Sequence, residues 1–354
     1  MLDTTNKIIG ILNVGSSSFK YAFFDNTLKS KERGQVSNFE EWVEKAENYK
    51  EALIGFAHRV VHGGNKYFEP TIIHEKILSE LQELSSLAAL HNPPALKIIQ
   101  QCKEIFPNLP NLAVFDTGFY KNLPIYTRYY PIPLSLDPKI RRYGFHGTSH
   151  QYVAEEAAKK LNRPLAELKV ITVHLGAGCS ITAIEDGQPI DTSMGFTPLE
   201  GLMMASRCGS IDPAIIFYLV REKKMSLDEV EKLLNEQSGL LGVSSVSTDP
   251  REILAVANKI GEKSTPEEKE QALKAGLALQ MYAYQVKKYI GAYFVALGGL
   301  DALVFTGKVG ENSELIREMI TNGLEVLGQF TTLVIPTDEE LAIAKKIKPL
   351  LEKQ

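Results

Sequence analysis

The pattern of apolar and polar positions predicts strands and helices mixed along the whole chain. Short continuous apolar runs at residues 112–115 and 300–305 are typical of buried strands. Apolar residues at helical spacing predict helices at residues 75–89, 149–161, 213–223, 266–295 and 337–352. Residues 306–313 end in Ser313, a good N-cap, and therefore predict a glycine loop between a strand and a helix. This mixture favours an α/β architecture.

An internal repeat is the strongest long-range signal in the sequence. Residues 8–26 and 169–187 each read as an apolar strand, a glycine-rich turn, a second strand and an acidic turn. The residues that align at an offset of 161 are Val14 with Leu175, Gly15 with Gly176 and Asp25 with Asp186. We interpret the repeat as a duplicated domain with one loop from each half facing a shared cleft. The alternative is two unrelated buried hairpins, because such patterns are common.

Composition restricts the class of protein. A chain of 354 residues predicts two domains, and a net charge of -4 argues against general binding to nucleic acid or to a membrane surface. The sequence contains no signal peptide and no run of 18 apolar residues, so we expect a soluble protein. The three cysteines, Cys102, Cys179 and Cys208, lack metal-ligand spacing and fit a reducing cytoplasm.

Histidines occur beside glycine, arginine or asparagine in four short clusters. These clusters are residues 58–64, 91–93, 146–150 and 174–178. Backbone N–H groups next to glycine, together with imidazoles, are suited to binding an anion, so the pattern indicates a protein that handles phosphate. A zinc site is the competing interpretation, but no pair of histidines carries the accompanying glutamate of a zinc protease motif.

Nine short motifs, taken together and in order, are similar to those of one known family. The motifs are residues 13–18 (NVGSSS), 58–64 (HRVVHGG), 90–93 (LHNP), 114–117 (VFDT), 142–150 (RYGFHGTSH), 191–195 (DTSMG), 197–201 (TPLEG), 207–213 (RCGSIDP) and 310–313 (GENS). The chain resembles the acetate kinase family, within the superfamily that also contains sugar kinases and actin. The resemblance extends from Ile11 to Ile343.

The resemblance implies a fold, a reaction and partners. It implies duplicated ribonuclease-H-like, actin-like ATPase domains facing a central cleft, at residues 1–120 and 121–340, with the helix at 341–354 packing back on the first domain. The implied activity is reversible phosphoryl transfer from ATP to acetate, giving acetyl phosphate and ADP, with Mg²⁺ as the cofactor and Mn²⁺ as an alternative. The relatives are homodimers through the second domain. No nucleic-acid or membrane partner is expected.

Arg59, Arg207, Asp116 and His146 are the candidate catalytic residues. Phosphorylating a carboxylate brings two anions together, and permanently charged guanidinium groups offset that repulsion well. By resemblance, both arginines line the place where acetate meets the γ-phosphate, and Arg207 and His146 stabilise the transition state. Asp116 ends a buried strand, where carboxylates point into the crevice of an α/β fold. Its structural alternative is a turn cap with Thr117.

The resemblance also implies a metal site, an acceptor pocket and a donor site. Asn13 and Glu339 are matched to the metal site around Asp116, although Glu339 is also an ordinary first-turn glutamate. An apolar pocket for the substrate methyl group is matched, beside Arg59, to Val61, Leu90, Phe145 and Pro198. The residues matched to nucleotide or phosphate binding are Ser18, Lys20, His174, Leu175, Gly176, Ala177, Gly178, Asp249, Pro250, Arg251, Gly307, Lys308, Val309, Gly310 and Asn312.

Three departures from the family pattern fall on the donor side. Ala177 replaces an asparagine, Lys308 replaces a glycine beside the adenosine, and Pro250 replaces a larger apolar or aromatic residue. Two alternatives to ATP-dependent acetate kinase therefore stay open: an enzyme with pyrophosphate or another donor, and one acting on another short-chain carboxylate such as propionate. A third interpretation, a non-catalytic nucleotide-binding regulator, is disfavoured by the intact transfer residues.

Overall fold

Two β-sheets, one in each half of the chain, organise the fold. The computed structural model describes residues 7–15, 19–85, 92–259, 261 and 264–353. The first sheet contains β1 (Ile8–Val14), β2 (Phe19–Asp25), β3 (Ser30–Val36), β4 (Leu53–Val60), β5 (Thr71–Ile72) and β6 (Asn111–Phe115). The second contains β7 (Lys169–Leu175), β8 (Cys179–Glu185), β9 (Gln188–Thr192), β10 (Ala302–Thr306) and β11 (Thr331–Val334).

Helices connect and cover these strands. They are α1 (Phe39–Glu47), α2 (Glu75–Glu83), α3 (Asn92–Ile105), α4 (Ile125–Arg128), α5 (Gly147–Leu161), α6 (Ala214–Arg221), α7 (Leu227–Glu236), α8 (Gly239–Ser244), α9 (Pro250–Ala257), α10 (Pro266–Leu297), α11 (Gly307–Asn312), α12 (Glu314–Thr321) and α13 (Glu339–Leu351). Short 3₁₀ turns lie at Asp116–Tyr120, Leu165–Glu167 and Leu324–Leu327. None of the helices in the described residues is both long enough and apolar enough to cross a membrane.

The two sheets share one topology, which confirms the duplicated α/β fold predicted from the sequence repeat. The order β3-β2-β1-β4-β6 in the first sheet corresponds to β9-β8-β7-β10-β11 in the second. In both, the first three strands are antiparallel and the next two add in parallel. The predicted strand–loop–strand units are therefore equivalent hairpins, β1-β2 and β7-β8.

The alignment of the repeat was wrong by one residue after the glycine turn. In the first hairpin Ile8 pairs with Asp25, and in the second Lys169 pairs with Glu185. The structural equivalent of Asp25 is therefore Glu185 and not Asp186, which lies beyond the strand with a φ of 52°. The physical reason is loop length, because residues 15–18 separate the first pair of strands and residues 176–178 separate the second.

Each sheet is buried between helical layers. In the first sheet, one face packs with α1 and α3 around Trp42, and the other packs on α13 through Ile343, Ala344 and Ile347. In the second sheet, Ile171 and its neighbours face α10, whereas Val170 faces α5. Alternating residues of a strand point to opposite faces, so both faces of each sheet are apolar, as the continuous apolar runs require.

Most predicted helices are present with small changes at their ends. Helix α10 extends the predicted 266–295 by two residues, beginning with a capping box of Thr265 and Glu268 and ending at Gly298, whose φ is 63°. Helix α5 starts two residues before the predicted 149–161. The structure describes α2 over Glu75–Glu83, and the predicted remainder to residue 89 extends past the described residues.

The predicted glycine loop at residues 306–313 was wrong, although its N-cap was right. Ser313 accepts a hydrogen bond from the Ile316 N–H and caps α12, but residues 307–312 already form α11. The Glu311 carboxylate accepts the Gly307 N–H at 2.9 Å and therefore satisfies a first-turn donor of that helix. Gly307 has a φ of 78°, and a Cβ there would lie 2.6 Å from the Leu175 carbonyl oxygen. Strand β10 thus leads directly into a helix that packs against β7.

Candidate active site

Arg59 and Asp116 form a buried ion pair where two parallel strands end. Strands β4 and β6 are parallel neighbours with Arg59 opposite Val114, so Arg59 and Asp116, two residues beyond Val114, lie on the same face of the sheet. The Arg59 Nε donates to Asp116 Oδ1 at 3.0 Å, and its NH2 donates to Oδ2 at 2.5 Å. Only 1% of the Asp116 side chain is exposed. The Asp116 carboxylate therefore makes a bidentate contact with a guanidinium group and is not a turn cap with Thr117.

The last helix brings two more carboxylates to the same arginine. Glu339 opens α13, and its Oε2 lies 3.4 Å from Arg59 NH1. The Asn13 amide donates to Glu339 Oε2 at 2.9 Å and to Glu340 Oε1 at 2.7 Å, while its oxygen accepts from Arg59. Three carboxylates and one guanidinium group thus meet around the end of β1. Glu339 is at once a first-turn glutamate and a member of this cluster.

Burial and charge act in opposite directions on these groups. Burial alone would lower the pKa of Arg59, but Asp116 and Glu339 outweigh it and raise the pKa. Burial likewise favours a raised pKa for Glu339, and the charge of Arg59 outweighs it, so this pKa is lowered. Burial raises the pKa of Asp116, and Arg59 opposes that effect. The charge of Arg59 therefore stabilises the ionised forms of both Asp116 and Glu339.

Helix α5 starts directly behind Asp116 and positions His146. A Cβ at Gly147 would collide with the Asp116 carbonyl oxygen, and the Thr148 hydroxyl donates to Asp116 Oδ1 at 3.3 Å. His146 precedes this glycine with a φ of 54° and a ψ of 24°, a left-handed conformation that is uncommon for a residue with a Cβ. Such backbone strain is often found at functional sites.

His146 belongs to a cluster of three histidines, with His150 buried and His146 and His174 partly buried, that the sequence alone did not establish. Its ring stacks on His174 with centroids 4.4 Å apart, and His150 lies 6.5 Å away. His146 Nδ1 and His150 Nε2 lie 2.8 Å and 2.7 Å from the Ser180 hydroxyl, and Ser149 lies 2.9 Å from His174 Nδ1. Burial lowers the pKa of His174 to about 4 and the pKa of His146 and of His150 well below 6.5. All three imidazoles are therefore neutral at pH 7. Among the described residues, no group of three or more His, Cys, Asp or Glu has the geometry of a metal site.

Arg207 faces His146 across Gly178. A Cβ built on Gly178 would lie 3.2 Å from His146 Nε2 and 3.5 Å from Arg207 NH1, so only a glycine leaves the space between these groups open. Arg207 NH1 donates to the Pro198 carbonyl oxygen at 3.2 Å. Within the described ranges no carboxylate lies within 4 Å of it. Burial lowers the pKa of Arg207, yet the guanidinium remains charged at any physiological pH. Arg207 is therefore a cation without a carboxylate partner among the described residues, and it lies beside the neutral imidazole of His146.

A cleft of about 390 Å³ contains eight of the residues matched to donor binding. These are Gly176, Ala177, Asp249, Pro250, Arg251, Lys308, Val309 and Asn312, with Ala205, Thr248 and Ser313 completing the wall. Leu175 is fully buried in the core behind the cleft, and Gly307 and Gly310 pack against β7. Lys20 is exposed on β2, opposite Asn13 in the strand register. Ser18 lies outside the described residues.

Two of the residues matched to an acceptor pocket share one apolar cluster. Val61 and Phe145 are buried in the core that also covers the second sheet. Pro198 is half-buried in a loop that Arg142 holds by donating to the carbonyl oxygens of Thr192 and Met194. Leu90, like His91 of the second histidine cluster, lies outside the described residues.

Several residues of the site were missed by the sequence analysis. Glu340, Thr148 and Ser180 each contact a candidate residue, and Thr172 contacts His150. Thr172 and Ser180 are fully buried in the second hairpin. A hydroxyl in an otherwise apolar strand needs a hydrogen-bond partner, so Thr172 and Ser180 carried a usable signal. Glu340 carried none, because a second glutamate in the first turn of a helix is ordinary.

Comparison with known proteins gives one consistent family. The profile of the acetokinase family matches residues 39–332. The chain is similar to an acetate kinase of Clostridium novyi (strain NT), with 43% identity over 352 residues that cover 93% of this chain and 82% of the relative. It is 46% identical over 321 residues to an acetate kinase of Clostridium kluyveri, covering 84% of this chain and 77% of the relative.

Solved structures with similar folds agree. An acetate kinase from Porphyromonas gingivalis superposes with a TM-score of 0.85 at 32% identity, covering 98% of this chain and 100% of its own. A propionate kinase from Francisella tularensis superposes with a TM-score of 0.86 at 36% identity, covering 96% and 98% respectively.

The buried histidines predict a loss of stability in mild acid. Burial lowers the pKa of His58 to about 4 and of His62 to about 3, in addition to the three histidines of the cluster. These groups bind protons more readily when the chain is unfolded, so stability should fall as the pH drops below about 6.5. We expect the free energy of unfolding, and with it the urea midpoint, to decrease between pH 6.5 and pH 5, by up to ~1.4 kcal/mol per pH unit for each histidine that titrates. His58→Asn should make that slope shallower and the exposed His74→Asn should leave it unchanged. A midpoint constant over this range would contradict the prediction.

The ion pair of Arg59 predicts a second effect on stability. Arg59→Ala leaves Asp116 buried without its partner, and we expect a loss of ~3–5 kcal/mol in the free energy of unfolding. The double variant Arg59→Ala/Asp116→Asn should recover part of that loss, because it also removes the buried charge. Arg207→Ala is the matched control, since it removes a contact to one carbonyl, worth about 1 kcal/mol. If Arg59→Ala costs no more than Arg207→Ala in urea titrations, or if Asp116→Asn recovers nothing in the double variant, the buried charge of Asp116 is not the cause of the loss.

Proposed function

The chain belongs to the acetokinase family, and on that basis we propose that it is a Mg²⁺-dependent kinase that transfers a phosphoryl group reversibly between ATP and acetate. The products are acetyl phosphate and ADP. The observation that carries the site assignment is the position of Arg207 and His146 on either side of Gly178, beside the cluster of Arg59 and Asp116. A charged donor and a neutral donor face one open space there.

The electrostatics of the site support transfer to a carboxylate. Acetate and the γ-phosphoryl group repel each other, and a preorganised cation lowers the barrier most when no other anion neutralises it. Arg207 meets that condition among the described residues, whereas Arg59 is already engaged by Asp116 and Glu339. We propose that Arg207 offsets the charge of the transferring group and that Arg59 orients the carboxylates around the acceptor.

His146 complements this charge without adding one. Because its imidazole is neutral at pH 7, it donates at most one hydrogen bond, from whichever nitrogen carries the proton. We propose that it donates to the phosphoryl group in flight. Direct in-line transfer is the mechanism we favour, since positioning and electrostatic stabilisation account for most catalysis of phosphoryl transfer.

We propose that two carboxylates of this cluster hold a divalent cation. Asp116, Glu339 and Glu340 carry three potential negative charges, and Arg59 supplies one positive charge. Mg²⁺ is usually bound by one or two carboxylates together with water and phosphate oxygens, and this donor set is compatible with it and with Mn²⁺. We propose that Asp116 and Glu339 hold the ion, with Asn13 orienting Glu339. When bound, the ion neutralises phosphate charge.

ATP is the donor we propose, held in the 390 Å³ cleft between α9 and α11. The hydrogen bond from Arg251 lowers the pKa of Asp249 to about 2, and the charge of Lys308 adds a smaller effect in the same direction. The Lys308 side chain is exposed in that wall. Among the described residues Arg251 is paired with Asp249, so Lys308 is the cation that this wall offers to phosphate groups, and the apolar lining comes from Ala177, Ala205, Pro250 and Val309 and not from an aromatic ring. This supports weak selection among nucleotides, and pyrophosphate stays the second candidate donor.

Acetate is the acceptor we propose, with propionate as the second candidate. Pro198 contacts Arg207 through its carbonyl oxygen, and we propose that it forms the acceptor pocket with Val61 and Phe145, which are buried in the core of the second sheet. One additional methylene group in such a pocket changes binding by only ~1–3 kcal/mol, and one structural relative is a propionate kinase.

A homodimer through the second half of the chain completes the proposal. Helix α6 (AIIFYLVR) has no buried residue, although nearly every residue in it is apolar. Phe217 is 56% exposed, and Tyr126 and Leu134 are also exposed in the same half. An apolar helix left uncovered is typical of an interface. A cytoplasmic location is proposed with it, because the three cysteines are free thiols.

Trapping acetyl phosphate with hydroxylamine tests the reaction. We expect acetyl hydroxamate to form from acetate and ATP, and kcat to fall about 100- to 1000-fold in Arg207→Ala, the effect of removing one transition-state donor. Replacing ATP by GTP and by pyrophosphate, with Lys308→Gly alongside, identifies the donor. If Lys308 obstructs the nucleoside, the glycine variant should raise kcat/KM for ATP relative to pyrophosphate. Nucleotide binding without hydroxamate from any donor would instead indicate a non-catalytic regulator.

The metal assignment predicts altered metal dependence. Asp116→Asn and Glu339→Gln should each raise the Mg²⁺ concentration required for half-maximal activity, because each removes one charged ligand. Asp338→Asn is the control, since Asp338 caps the same helix and pairs with Arg33 on the surface. Metal titrations that overlay the parent curve in both site variants would place the ion elsewhere.

The interface assignment predicts a change of mass. Phe217→Glu should convert the dimer to a monomer in sedimentation equilibrium, because it puts a charge on the exposed face of α6. Val326→Glu replaces another exposed apolar residue, 86% accessible, in a 3₁₀ turn and should leave the mass unchanged. A parent protein that sediments as a monomer at micromolar concentration would rule out the dimer.

A further inference from the structure

A continuous array of hydrogen bonds connects the interior of the second sheet to His146. Thr172 Oγ1 lies 2.7 Å from His150 Nδ1, and His150 Nε2 lies 2.7 Å from Ser180 Oγ. The same Ser180 oxygen lies 2.8 Å from His146 Nδ1. Thr172, His150 and Ser180 are all fully buried. Nothing in the proposed reaction uses these three residues directly, yet Ser180 is the described hydrogen-bond partner of His146 Nδ1, and His150 and Thr172 continue the array behind it.

Counting protons shows that the array acts as a unit. A neutral imidazole carries one N–H, and a hydroxyl carries one O–H, so four protons serve three hydrogen bonds. If His146 holds its proton on Nε2, then Ser180 donates to His146, His150 donates to Ser180, and Thr172 donates to His150. If His146 holds its proton on Nδ1, the donors are reversed: His146 donates to Ser180, Ser180 donates to His150, and His150 donates to Thr172. A third arrangement is that Ser180 accepts a hydrogen bond from both imidazole rings. That last arrangement leaves the Ser180 proton buried without an acceptor, which is costly.

Geometry favours the first of these arrangements. In the reversed array the Thr172 hydroxyl proton has to go to the Thr182 carbonyl oxygen, 3.5 Å away, which is long for such a bond. In the first arrangement, the Thr172 hydroxyl donates this proton to His150 Nδ1 at 2.7 Å. The first arrangement also leaves Nε2–H of His146 directed at the space beside Gly178, where Arg207 approaches from the other side. Among the described residues Nε2 has no hydrogen-bond partner there.

We propose that Ser180, His150 and Thr172 are positioning residues that fix the proton of His146 on Nε2. The inference rests on the proposed function, because it assigns to His146 the role of donor to the transferring phosphoryl group. The reversed array would instead direct a lone pair at the phosphoryl oxygens. In this role no proton leaves the array, and the residues act only by setting which nitrogen is the donor.

A matched pair of threonines tests the array by kinetics. Thr172 and Thr182 are partners in the register of β7 and β8, and both are fully buried. Only Thr172 contacts a histidine, since Thr182 bonds with Tyr120 and Thr192. Ser180→Ala should lower kcat about 10- to 100-fold with little change in KM, by analogy with the loss of the outer partner of a metal-binding histidine. Thr172→Val should show a smaller loss of kcat, and Thr182→Val should retain parent activity. Equal kcat in Thr172→Val and Thr182→Val would overturn the proposal.

Nitrogen NMR of histidine-labelled protein reads the tautomer directly. With Mg²⁺, ADP and aluminium fluoride as the probe of the phosphoryl site, the parent should show His146 protonated only on Nε2, identified by its absence in His146→Asn. Asparagine tolerates the left-handed backbone at this position. Ser180→Ala should give a mixture of tautomers. A parent spectrum with the proton on Nδ1 overturns the array, even if hydroxamate assays show acetate kinase activity. A parent without that activity, but with the Nε2 tautomer, would instead overturn the proposed function alone.

Discussion

The guanidinium group of Arg59 is the contact on which the rest of the site depends. It joins the end of β4 to Asp116 after β6, to Asn13 at the end of β1 and to Glu339 at the start of α13. Without it, carboxylates from distant parts of the chain would meet in a buried space with no compensating charge. The return of the last helix to the first sheet is therefore both an apolar contact, through Ile343, and an electrostatic one.

The sequence was sufficient where a local pattern dictates the structure. The apolar run at 112–115 placed Asp116 at the end of a strand, and the alanine-rich stretch beginning at Pro266 formed one long helix. It was insufficient where the outcome depends on contacts between distant residues. Glu311 satisfies the first N–H of α11 and turns an expected loop into a helix, and no local pattern around Gly307 revealed this. Asp116 was recognisable as a candidate, but its pairing with Arg59 requires the parallel register of β4 and β6.

The histidines illustrate a similar division. Their clusters beside glycine pointed to an anion, whereas the stacking of His146 on His174 and the shared serine of His146 and His150 appear only after β7, β8 and α5 assemble. Burial keeps these rings uncharged, so the positive charge of the site comes from arginines. The guanidinium groups are permanently charged, whereas a neutral imidazole donates one hydrogen bond in a fixed direction.

The two glycine turns differ in length by one residue, and this has a consequence for how the duplicated halves are used. Four residues connect β1 to β2, and three connect β7 to β8. The unequal turns rule out an exact twofold relation between the two hairpins. The described residues that line the 390 Å³ cleft beside the shorter turn all come from the second half of the chain, so the duplicated halves do not contribute equivalent binding surfaces.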